Sequence, residues 1–194
     1  MKRFKNILCM VEPGKECNPV VERAVILAEN NQANLSVISV APSARAGIGM
    51  PEGGPISADL QATIVNNHKQ ELDNLVEPYR LRIKIETRVL IGIPFLEIIR
   101  EVLRNAHDLV IKCPESLDWL DRLFSSGDKH LLRKCPCPVW MVRSQTGESF
   151  DRILAAVDVD DSYSSNELKT RQALNEMVME LAGSLAVSEF AELH

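Results

Sequence analysis

The run Asn6-Ile7-Leu8-Cys9-Met10-Val11 decides the fold, because five consecutive apolar side chains follow Asn6 with no polar alternation. A strand with one wet face alternates, whereas a short unbroken apolar run reads as a strand buried on both faces. The loop Pro13-Gly14-Lys15-Glu16-Cys17 comes next, and Asn18-Pro19 then offers an N-cap and a proline at the first helical position. Val20, Val21, Ala24, Leu27 and Ala28 recur at helical spacing, which predicts an amphipathic helix ending near Asn30-Asn31. Leu35 to Val40 reads as a second strand.

Working outward, the same alternation of strand and helix continues. Ala41 to Ser57 is rich in Pro, Gly, Ser and Ala and reads as a loop. A long helix follows from about Ala58 to Val76, with Leu60, Ile64, His68, Leu72 and Leu75 along one face and Pro78 stopping it. On that stripe His68 reads as a boundary core residue. Ile83, Ile85, Thr87 and Val89 alternate with charged residues, which predicts a half-exposed strand near a sheet edge. Gly92 and Pro94 open a helix with an apolar stripe of Phe95, Ile98, Ile99, Val102 and Leu103. Asp108 to Cys113 is another buried strand. After a segment containing Trp119, Ser126 is placed to cap a short helix through Lys134, and Cys137 to Val142 is the fifth strand. Five strands alternating with helices predict a doubly wound parallel α/β sheet with right-handed crossovers.

Composition narrows the function classes. Hydrophobic residues make up 45% of the 194-residue chain and charged ones 25%, enough for an ordinary globular core. The net charge of −5 argues against a general nucleic-acid surface. Arg80, Arg82, Lys84 and Arg88 are the nearest thing to a basic patch, and they read as the solvated face of a strand. No apolar run reaches the roughly 20 residues of a membrane span, and the first residues lack a secretory core, so the expected location is the cytoplasm. Five irregularly spaced cysteines are no disulfide framework. Cys135 and Cys137 lack the spacing and second ligand pair of a zinc site. No metal is expected, and Cys9 and Cys137 read as strand core residues.

Beyond the polar linker Arg143 to Ser149 the pattern restarts. Phe150-Asp151-Arg152-Ile153-Leu154-Ala155-Ala156-Val157-Asp158 echoes Phe4 to Glu12 register for register, and a helix over Leu174 to Leu185 follows. The expected organisation is one domain over residues 1–145 and the incomplete opening of a second over residues 150–194. About forty residues cannot close a doubly wound core of their own.

Four stretches together resemble the universal stress protein family: Ile7-Leu8-Cys9-Met10-Val11-Glu12, Gly92-Ile93-Pro94, Asp108-Leu109-Val110-Ile111, and Leu131-Leu132-Arg133-Lys134-Cys135-Pro136-Cys137-Pro138-Val139. The restart at Phe150 is similar to the tandem-domain, UspE-type members, in which two copies lie in one chain. The resemblance implies a five-stranded parallel sheet of order 3-2-1-4-5. It also implies a ligand crevice at the switch point, where the ends of the first and fourth strands diverge. Nucleotide-binding members hold ATP there through glycines whose bare backbone admits phosphate.

At those positions this sequence departs from the family. It reads Lys112-Cys113-Pro114-Glu115-Ser116 where the first glycines belong, so Pro114 has no N–H to donate and Glu115 repels phosphate. Ser125-Ser126-Gly127 keeps the hydroxyls but displaces the glycine, and Glu12 stands at the family's aspartate position. Lys112 is readable as a rescuing charge or, from its place in the strand pattern, as a packing or solvated residue. The ligand-binding candidates are therefore Glu12, Val40, Gly92, Lys112, Ser125, Ser126 and Gly127. The expected function is a non-catalytic stress-response binding or scaffold module without a cofactor. The alternative is an ATP binder with slow ATPase activity, using Ser125, Ser126 and Gly127. Acid–base catalysis by His107, His130, Asp108 or Glu12 is disfavoured, because nothing in the pattern makes them converge. Val139, Trp140, Met141 and Val142 form an apolar edge that predicts a homodimer through the fifth strand, or one with Phe150 to Leu185 exchanged between chains.

Overall fold

The structure, a computed structural model, describes residues 4–15, 17–44, 55–114, 126–143 and 150–194. The chain divides into two compact units, one spanning Phe4–Thr146 and the other containing Gly147–His194. The first holds β1 (Asn6–Met10), α1 (Asn18–Asn31), β2 (Asn34–Ala41), α2 (Pro55–Val76), β3 (Ile85–Ile91), α3 (Pro94–Asn105), β4 (Leu109–Lys112), α4 (Ser126–Lys134) and β5 (Val139–Met141). Its strands form one parallel sheet in the order β3-β2-β1-β4-β5. The parallel sheet is the one expected from alternating strand and helix, and its order is the one the family resemblance implies.

The central strands are buried as their composition requires: Ile7, Leu8, Cys9 and Met10 of β1 and all four residues of β4 lie inside. Leu8, Met10, Ile38, Val40 and Val110 pack with Ile98 and Val102 of α3 and Leu131 of α4 to form the core on one sheet face. Alternate residues, Val11 and Ser39 among them, point to the face covered by α2. At the start of β1, the Asp108 carboxylate accepts the backbone N–H groups of Lys5 at 2.7 Å and Asn6 at 3.1 Å. This ties the entry of β4 to the entry of β1.

Several boundaries differ from expectation, each for a local reason. Cys17, not Asn18, is the residue at the α1 N-cap, and no side chain caps it. α2 starts at Pro55, inside the stretch read as loop, and Leu60 of the expected stripe is exposed. β3 starts at Ile85 because the N–H groups of Arg82 and Ile83 both turn back onto the Tyr79 carbonyl. On α3, Leu103 is 67% exposed and lies off the apolar stripe, whereas Glu97 and Glu101 are buried. β5 covers only Val139–Met141, since Pro138 cannot donate to the ladder. Cys137 therefore precedes the strand and is only partly buried. Arg80, Arg82 and Arg88 are exposed as expected, but each is ion-paired with nearby carboxylates, among them Asp73, Glu29 and Glu86 respectively.

In the second unit, β6 (Arg152–Ile153) and β7 (Glu192–Leu193) pair in parallel around α5 (Ser165–Glu189). The helix is much longer than Leu174 to Leu185. It is opened by a capping box, in which the Ser164 and Glu167 side chains bond each other's end of the first turn. Leu154, Val159 and Phe190 face solvent in this unit, the last at 98% exposure. One helix over a two-stranded ladder does not provide enough surface to bury them.

Gly92 links β3 to α3 with φ at +146°, and a Cβ there would sit 2.9 Å from Glu97 Oε1. Gly92→Ala is expected to lower stability by about 1–3 kcal/mol, read as a shift of the urea midpoint at unchanged slope. An unchanged midpoint would show that the loop relaxes without strain.

Candidate functional site

The C-terminal ends of β1 and β2 open onto a cavity of about 330 Å³ beside α2. The loop after β1 forms its rim. It turns at Gly14, whose φ of +76° favours glycine, and whose N–H donates to Glu71 Oε2 of α2 at 3.2 Å. Glu12 ion-pairs with Lys15 across the turn. Deeper in, Ser39 Oγ and His68 Nδ1 lie 2.7 Å apart. Cys17 closes the wall, its thiol within 3.5 Å of the Glu12 carbonyl and pushed up in pKa chiefly by burial. The lining thus combines a serine–histidine hydrogen bond, the Glu12 and Glu71 carboxylates, and the apolar Val11, Leu72 and Leu75.

On the opposite face, the end of β4 carries a different feature. Lys112 lies between Met10 of β1 and Met141 of β5 in register and is 1% exposed. Its ammonium reaches Asp128 Oδ1 at 2.6 Å, and Asp128 is fully buried in the first turn of α4. A carboxylate there also meets the positive end of the helix dipole. Each charge gives the other the partner that burial demands. The backbone reinforces the link, as Val142 N–H donates to the Lys112 carbonyl at 2.8 Å.

The expected site residues do not gather in one place. Glu12 lines the α2-side cavity. Val40 points to the other face and is part of the core. Gly92 sits at the end of β3, two strands from β1, with its N–H on the Ala41 carbonyl. Lys112 is neither solvated nor passive packing but half of an internal ion pair. Ser126 and Gly127 are the first two residues of α4. Ser125, Glu115, Ser116 and Trp119 lie outside the described residues. At the β5 edge, Val139, Trp140 and Met141 are half-buried, while Val142 is buried within the chain.

The acid–base candidates are scattered. His107 and Asp108 stand at the N-terminal edge of the sheet, opposite Glu12, and burial lowers the His107 pKa. His130 stacks on Phe95 at 4.9 Å between ring centres. Among the described residues no group of three His, Cys, Asp or Glu side chains is placed to hold a metal ion. Likewise, no described helix is long and apolar enough to cross a membrane. Sequence reasoning passed over Asp128 and the Ser39–His68 pair. A lysine within an apolar strand was the available signal for the first, since it demands a buried anion.

Comparison with known proteins agrees with this architecture. The universal stress protein family model matches residues 3–143. Universal stress protein E of Photorhabdus laumondii is 29% identical over 202 residues, covering 100% of this chain and 62% of that protein. The chain thus spans about three fifths of the length of the curated relatives it matches. Universal stress protein UspA from Lactobacillus plantarum superposes with a TM-score of 0.63 at 20% identity, covering 74% of this chain and 100% of its own. A universal stress protein solved in complex with cAMP gives 0.57 at 16% identity, with 74% and 99% covered. With the family model matching most of its length and a sheet of order 3-2-1-4-5, the chain belongs to the universal stress protein family.

Proposed function

We propose that the Phe4–Thr146 unit is a non-catalytic binding or scaffold module of the stress response, acting in the cytoplasm, whose nucleotide site is degenerate. The buried Lys112–Asp128 pair carries this reading. A triphosphate at this switch point needs open backbone N–H groups and uncommitted positive charge. Here the first turn of α4 already holds a carboxylate, Lys112 is committed to it, and Pro114 offers no N–H. In the α2-side cavity Lys15 is paired with Glu12 and Glu71 adds a further carboxylate, a rim that favours a small neutral or cationic polar ligand over phosphate.

The second reading is nucleotide binding with slow ATPase activity, through Ser125, Ser126 and Gly127. The structural neighbour solved with cAMP supports its nucleotide-binding part. For association, the half-buried edge Val139, Trp140 and Met141 supports a homodimer through β5, and the exposed apolar residues of the second unit support exchange of that unit between chains.

Titrating the full chain with Mg·ATP, and in parallel with cAMP, is expected to leave Tm unchanged up to millimolar ligand. A rise that grows with concentration would overturn the degenerate-site reading in favour of the second. Lys112→Met and Asp128→Asn are each expected to cost about 3–5 kcal/mol in chemical denaturation. The double variant Lys112→Met/Asp128→Asn should lose less than the sum, and strict additivity would mean the two groups are not coupled. Light scattering on the full chain is expected to return twice the chain mass, and a monomer at high concentration counts against the dimer.

A further inference from the structure

Between α4 and β5 the chain places two thiols side by side: Cys135 Sγ and Cys137 Sγ are 3.7 Å apart, and both residues are only partly buried. The backbone that carries them is fixed on both flanks. Cys135 N–H donates to the Leu131 carbonyl at 2.8 Å, and the Pro138 carbonyl accepts Val110 N–H at 3.0 Å. Pro136 and Pro138 lock φ at their own positions, and each also restricts the cysteine before it. The stiff turn therefore fixes the backbone positions from which the two thiols meet.

The two thiols are not equivalent. Either sulfur can donate in this contact; with the Cys137 thiol as donor, the bond brings Cys135 down to a pKa of about 7, with burial opposing the shift and the Cys137 backbone N–H adding to it. Cys137 is pushed up, first by that same bond to Cys135 and then by burial, with Asp108 adding to the effect. The carbonyl end of α4 opposes a thiolate at Cys135, and Arg133 and Lys134 in its last turn partly offset this. Elsewhere Cys9 is fully enclosed and Cys17 is buried in the wall of the α2-side cavity, and burial pushes both thiols up. Cys113 is partly buried like this pair, but Cys135 has a second thiol in contact with it.

We propose that Cys135 and Cys137 form a thiol–disulfide exchange site for low-molecular-weight disulfides. The Cys135 thiolate attacks one sulfur of the disulfide RSSR, and the S–S bond breaks with release of RS⁻. The Cys137 thiol then loses its proton and attacks Cys135 Sγ. The mixed disulfide breaks, a second RS⁻ leaves, and the Cys135–Cys137 bond forms. Two protein thiols are oxidised, one RSSR is reduced to two thiols, and the two protons released are taken up by the leaving thiolates or by solvent. The sulfurs must close from 3.7 Å to a bond of about 2.05 Å within a ring spanning a single proline. Such a strained, accessible disulfide belongs to the labile, reversible kind rather than the structural kind.

The test equilibrates the full chain with oxidised glutathione, quenches in acid, and reads intact mass and peptide maps. Wild type is expected to lose the mass of two hydrogens and keep no glutathione. Cys137→Ser should hold one glutathione on Cys135, and Cys135→Ser should give neither product. Dithiothreitol should reverse all of these changes. Independently of any variant, iodoacetamide at pH 7 should modify Cys135 on the order of ten times faster than Cys137. The proposal is overturned if the wild-type mass does not change, or if wild type and Cys137→Ser carry the same stable adduct. It is equally overturned if the adduct maps to Cys17 or Cys113, or if the two thiols alkylate at equal rates.

Discussion

A lysine ammonium and an aspartate carboxylate, both withdrawn from water, constrain the switch point of this sheet. Lys112 closes β4 and Asp128 opens α4, so their 2.6 Å contact fixes the strand end against the helix start. Neither group tolerates burial alone, and the low dielectric that penalises an isolated charge is what strengthens the bond between them. The neighbouring strands follow from this anchor. Met10 and Met141 flank Lys112 in register, and Val142 returns a backbone bond to it. An open α/β sheet ordinarily leaves this region for a ligand. Here side chains of the protein itself supply both charges that a bound phosphate and its lysine would otherwise provide.

The two faces of the sheet consequently differ in character. The face under α3 and α4 is an apolar core that ends in one ion pair. The face under α2 keeps a cavity whose polar groups are loosely distributed around its walls. Ser39 and Val40 are adjacent in sequence yet belong to these two worlds, because successive strand residues point to opposite sides. Glu12 lies just beyond the end of β1, where the loop turns it toward α2 and Lys15. A family-derived site built from Glu12, Val40 and Lys112 is therefore divided by the sheet itself.

What could be read from the sequence was what is encoded locally. The α3 stripe marked a helix by periodicity and the short unbroken β1 run marked a buried strand, while alternating strand and helix implied a parallel sheet whose order came from the resemblance. β3 slipped by two residues because Ile83 fits the alternation, yet its N–H is claimed by a turn onto Tyr79. The early start of α5 was legible in Ser164-Ser165-Asn166-Glu167, a capping-box pattern that the apolar spacing from Leu174 overshadowed. The ion pair was not legible in the same way. Sixteen positions separate Lys112 from Asp128, and no local rule joins a strand end to a helix first turn. A lysine among Leu109, Val110 and Ile111 announces only that a partner must exist, not which carboxylate it is.

α4 is where these separate features become mechanically related. Nine residues long, it carries the buried Asp128 in its first turn and is followed directly by Cys135. One end is held by an electrostatic contact to β4, and the other by the stiff Cys135-Pro136-Cys137-Pro138 turn leading into β5. β4 and β5 are neighbours in the sheet, so helix, turn and both strands form one closed circuit of covalent and hydrogen bonds. A change of bonding between the two sulfurs alters the turn that sets the helix end. It cannot be absorbed by sliding at the other end without disturbing a charge pair that has no access to water. Rigidity at the switch point thus makes the thiols at the far end of α4 a place where small chemistry is felt by the fold.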